Sequence, residues 1–171
     1  EFSVNPRLLL AVLEYQSGWV TITSPQEETL KYPLGMQDQR REGLYKQLTW
    51  AADNLNRGYY WYRANAIASW SLTGGSIIPI DPTINAGTAA LQYFFGQLYG
   101  YKFWEKSVSP EGFFAVYEAF FGYPFDYTYD PIVPATIKQP ILQLPLDPDV
   151  RWAFTGGPHG GWGDGSAWAA L

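Results

Sequence analysis

Proline placement sets the first limit on what this chain can fold into. Pro124, Pro131, Pro134, Pro140, Pro145, Pro148 and Pro158 recur every few residues from position 124 onward. Each removes a backbone donor and crowds the preceding helical turn, so helices of ordinary length belong before residue 124. That earlier stretch carries helical punctuation. Asn5-Pro6 pairs a capping side chain with a residue suited to the first helical position, and Gly18 is placed to end the run. Leu8, Leu9, Leu10, Ala11, Val12 and Leu13 between them are apolar almost all round, which predicts a buried helix.

Three more helices follow from the same signals. From Arg41 onward, Leu44, Leu48, Ala51, Ala52, Leu55 and Tyr59 recur at helical spacing, with Gly58 a candidate break. Asn85 is positioned to cap a third helix whose Ala86, Ala89, Ala90, Phe94 and Leu98 share a side, stopping at Gly100. Ser109-Pro110 opens an aromatic helix that runs to Gly122. Residues 19–39, with Pro25, Pro33 and Gly35, read as a long surface loop, and the Gly74-Gly75 to Pro82 region reads as turns. The expectation is a mainly α fold: a helical domain over 1–123, a Pro-rich linker over 124–140, and a short β-prone segment over 141–171.

Composition narrows the function classes. A chain that is 47% hydrophobic can bury a core without staples, and with no cysteine any metal site depends on His and carboxylates. The net charge is -5 and no cationic cluster exceeds Arg40-Arg41, which argues against a nucleic-acid partner. The longest aliphatic run, Leu8 to Leu13, falls far short of the roughly 20 residues a membrane-spanning helix needs, so no transmembrane segment is expected.

Two motifs carry resemblances. The segment Trp152-Ala153-Phe154-Thr155-Gly156-Gly157-Pro158-His159-Gly160-Gly161-Trp162 resembles the opening of lysostaphin-like zinc metallopeptidases, in which a Gly-rich turn bears the first zinc-binding His. The resemblance implies that His159 is one ligand of an incomplete site. Asp164 belongs to the Gly163-Asp164-Gly165 turn, and the remaining ligands are expected beyond Leu171. One His cannot hold catalytic zinc. No cofactor is therefore expected in this chain itself, and zinc belongs to the complete peptidase module, whose truncated start is residues 141–171.

The run from Asn5 to Gly18 resembles the first helix of lytic transglycosylases of the lysozyme-like superfamily, with Gln16-Ser17-Gly18 where that family has E-S-G. Asn85-Ala86-Gly87 is similar to their A-Y-N-A-G motif, with Ile84 in place of the tyrosine. These likenesses imply a lysozyme-like helical domain in which Gln16 marks the position of a lost general acid. They also imply that Ser17 and Asn85 contact sugar. Among the aromatic clusters, Trp61 and Tyr62 are the candidate stacking rings, since neighbouring residues on a helix point about 100° apart and one of each pair can face outward.

Three functions stay open. The first is a peptidoglycan-associated module of a cell-wall peptidase that binds and positions glycan, without catalysis of its own, outside the cell or in its envelope. The second is an active lytic transglycosylase or muramidase using Glu14, the carboxylate nearest Gln16, although about 200° of helical rotation separates the two. Glu14 is equally readable as a helix-terminal residue with a structural hydrogen bond. The third is an extracellular assembly domain whose rings pack against other protein.

Overall fold

Two compact units divide the chain, Glu1–Thr128 and Tyr129–Leu171. The computed structural model describes residues 3–126, together with the isolated positions 136, 138, 141 and 149–151. The first unit is mainly α, as expected, with one small sheet. Helix α1 spans Pro6–Ser17; the Asn5 side chain accepts from the Arg7 N–H, and Gly18 ends the helix in the left-handed region at φ 68°. It buries Ala11, Val12 and Leu13 but leaves Leu10 44% exposed, so it is one-sided rather than buried all round.

Helix α2 (Glu27–Lys31) and a single 3-10 turn at Gln39–Arg41 interrupt the long loop. Helix α3 then runs unbroken over Leu44–Arg63. Gly58 does not break it. A Cβ there would lie 2.6 Å from Tyr93 Cβ and 3.0 Å from Ala90 Cα, so the missing side chain is what lets helix α4 (Ala86–Gly96) lie against α3. The roughly 1 kcal/mol that glycine costs a helix is offset by close packing, and here packing decides.

The turn-rich region contains a hairpin: β1 (Ser69–Ser71) pairs antiparallel with β2 (Ile77–Pro79), joined through Gly74 and Gly75 at positive φ. Trp70 points into the core and donates its indole N–H to Gln92 Oε1 at 2.9 Å, while its neighbours Ser69 and Ser71 face the other way. The third helix stops at Gly96, not Gly100. Gly100 instead starts α5 (Tyr101–Val108), a helix whose cap position carries no side-chain hydrogen bond and so gives no sequence signal.

A tight turn over Pro110–Phe114 leads into α6 (Ala115–Phe121), which ends at Gly122. Within the turn Gly112 lies outside helical geometry, at φ -87° and ψ -127°. A Cβ there would collide with the Lys106 carbonyl oxygen and approach that of Ser107 to 2.6 Å. Val12, Leu34, Leu55, Trp70, Phe94 and Phe95 form the innermost core.

Candidate functional site

The C-terminal end of α1 holds the residues singled out for catalysis, and each is engaged by its own surroundings. Glu14 Oε2 accepts from the Val20 and Thr21 N–H groups at 3.0 and 3.1 Å, and its Oε1 accepts from the Thr21 hydroxyl at 2.5 Å. The carboxylate thus organises the chain reversal after Gly18. Leu10, one turn before Glu14 on the helix, is exposed. Gln16 Oε1 accepts from the Tyr99 hydroxyl at 2.5 Å, and its Nε2 is buried without a partner among the described residues. The surroundings hold the Tyr99 phenol above its usual range, because burial disfavours the charged phenolate. Ser17 donates its hydroxyl back to the Leu13 carbonyl at 2.9 Å.

Two cavities lie elsewhere on the unit. The first, about 420 Å³, is a cleft between the start of α1, the start of α4 and the α5–α6 junction; Leu8, Leu91, Phe95, Val108, Phe113 and Tyr117 give it apolar walls. Four of its polar residues are already committed. The Asn5 and Asn85 side-chain oxygens cap α1 and α4, and the Ser107 and Ser109 hydroxyls donate to the Phe103 and Lys106 carbonyls. Among the described residues no Asp, Glu, His, Lys or Arg lines it.

The second cavity, about 460 Å³, is a hollow where the end of α3 meets the hairpin and the end of α4. Trp61, 39% exposed, forms one wall with Ile67, Tyr93 and Ile77, and Ser69, Ser71, Thr73 and Gln97 supply polar atoms. The indole meets the Tyr93 ring edge-on at 5.4 Å, and the Arg57 guanidinium lies 5.7 Å from its centroid. Thr73 donates to the Gly96 and Gln97 carbonyls, which ties the hairpin to the end of α4.

The residues expected to act together are therefore spread over three places. Asn85 borders the apolar cleft beside Leu8, about 12 Å along α1 from Gln16 at 1.5 Å per residue. Trp61 belongs to the hollow. Tyr62 does not stand out as a free ring; its hydroxyl reaches the Ile84 and Pro82 carbonyls at 2.5 and 2.9 Å and ties α3 to the segment before α4. His159 lies outside the described residues. Ser69, Ser71, Thr73 and Gln97 were not anticipated. Their one legible signal is the polar–aromatic–polar alternation Ser69-Trp70-Ser71, which places both hydroxyls on the face opposite the buried indole.

Among the described residues no helix is long and apolar enough to cross a membrane. No curated protein and no solved structure matches the chain. A family model does: the one described as LasA, N-terminal domain, matches residues 1–134. That match covers all the described helices. The chain belongs to the LasA N-terminal domain family.

Proposed function

We propose that the helical unit is the glycan-holding part of a LasA-like cell-wall peptidase, acting outside the cell or in its envelope, and that it has no lytic chemistry of its own. The observation that carries this reading is the state of Glu14 and Gln16. A carboxylate receiving three hydrogen bonds from Val20 and Thr21 would have to abandon its own loop to protonate a glycosidic oxygen, and a carboxamide has no proton of suitable acidity to give. Family membership supports the peptidoglycan context, and tethering to glycan would raise the local concentration of substrate for a linked peptidase. The lysozyme-like likeness of α1 belongs to the same proposal, as a holding domain that lacks the acid.

Incubation with purified sacculi tests it. The protein is expected in the pellet, with no soluble muropeptides released. Release that disappears in Glu14→Gln would overturn the reading in favour of a transglycosylase. Protein left in the supernatant would overturn it in favour of an assembly domain, for which exposed Tyr45, Tyr60 and Phe103 supply the surface.

A further inference from the structure

We infer that the hollow beside Trp61 is a subsite for one neutral pyranose unit, stacked on the indole and hydrogen-bonded by Ser69, Ser71 and Gln97. This rests on the glycan-holding reading and says where on the unit the sugar sits.

Three observations converge on it. An indole 39% exposed next to a recess presents an electron-rich surface, and the C–H groups of a pyranose carry the weak positive charge that complements it. The Arg57 guanidinium 5.7 Å from its centroid and the T-shaped contact with Tyr93 hold the indole in place before a ligand arrives, and little ordering remains to oppose binding. The Ser69 and Ser71 hydroxyls and the Gln97 carboxamide have no hydrogen-bond partner among the described residues, unlike the capping and back-bonded groups around the apolar cleft. They provide both donors and acceptors, which is what a ring bearing hydroxyl or acetamido groups requires.

Charge selects among saccharides. No Asp, Glu, Lys or Arg is among the residues lining the hollow, and the Arg57 guanidinium beside it is already engaged with the indole, so a carboxylated or phosphorylated sugar would give up water without a dedicated counter-ion in the recess. The volume, about 460 Å³, is within the range of small-ligand sites and too small for several linked rings to enter together. One ring of a longer strand enters while its neighbours lie along the surface.

The test uses the full chain with soluble N-acetylglucosamine tetramer in calorimetry, with an oligogalacturonate of similar length as the anionic control, and pairs each variant with the sacculus pull-down. Wild type should bind the neutral tetramer and not the oligogalacturonate. Trp61→Ala should weaken binding roughly tenfold or more, the loss of about 1.4 kcal/mol of ring contact. Ser69→Ala/Ser71→Ala, which changes two small side chains facing away from the core, should weaken it several-fold, and Trp61→Phe should recover part of the loss. Wild type that pellets with sacculi while the Trp61 and serine variants pellet and bind equally well would overturn the subsite and leave the holding reading standing. Wild type that fails to pellet would overturn the holding reading itself. Equal affinity for the oligogalacturonate would overturn the neutral specificity.

Discussion

Helix α3 supports two neighbours by opposite means. Toward α4 it offers shape: Gly58 admits Tyr93 and Ala90, Trp50 packs against Phe94 with ring centroids 5.4 Å apart, and Ala51, Ala52 and Leu55 are buried. Toward the strap over residues 32–43 it offers hydrogen bonds, concentrated in one side chain. Gln47 is fully buried, its Oε1 accepts from the Leu34 and Met36 N–H groups, and its Nε2 donates to the Met36 and Arg41 carbonyls. The seam with α4 is insensitive to which apolar atoms fill it so long as they fit, whereas the strap depends on one carboxamide with all four of its positions used. A helix can thus hold a neighbouring helix by omission of a side chain and an irregular segment by the presence of one.

Substituting Gln47 tests the polar side hardest. Gln47→Leu keeps the bulk but leaves two donors and two acceptors of the strap unpaired at a buried site, and the expected loss is about 3 kcal/mol in chemical denaturation. A loss below about 1 kcal/mol would mean that water replaces the carboxamide and the two sides are less different than they look.

Gly58→Ala probes the other side and pits two effects against each other. Helix propensity favours alanine by about 1 kcal/mol, while overpacking against Tyr93 and Ala90 costs about 1 to 3 kcal/mol. With backbone at 3.0 Å and unable to move aside as a side-chain tip would, the net is expected to be a destabilisation of about 1 kcal/mol. A stabilised variant would show that the seam has slack.

The smallest effect concerns Tyr99, where α1 meets the segment before α5. Its phenol titrates above the ordinary range in the folded chain, so the folded state holds that proton more tightly than the unfolded one. The associated stability is fully present below about pH 10 and declines as pH rises through the raised value. Tyr99→Phe should flatten that alkaline decline in thermal melts from pH 8.5 to 11. An unchanged slope would assign the decline to other groups.

Legibility in the sequence follows the same division. Helices α1, α3 and α4 were readable because capping residues and apolar spacing are local signals, and Asn5, Gly18 and Asn85 occupy the capping positions expected of them. The α5 helix was not, because Gly100 caps it without a side-chain bond and looks like a stop. Gly58 was misread for a related reason: its purpose is set by Tyr93 and Ala90, more than thirty residues away. Of the candidate site, Trp61 was legible as an exposed ring. Its polar companions were not, since Ser69, Ser71 and Gln97 meet it only after the hairpin folds onto the end of α4. The dispersal of Gln16, Trp61 and Asn85 likewise reflects tertiary placement that no spacing along the chain encodes.

Gln47 also bears on the order in which the unit assembles. A carboxamide in the middle of a helix has none of these partners until the strap arrives, and within the strap Pro33 and Leu34 are buried and Met36 packs on the core, while Gly35, Gln37, Gln39 and Arg40 are exposed. Opening of residues 32–43 is expected to precede loss of the α3–α4 seam, and amide exchange that is faster in this segment than in α3 is the measurement that checks it.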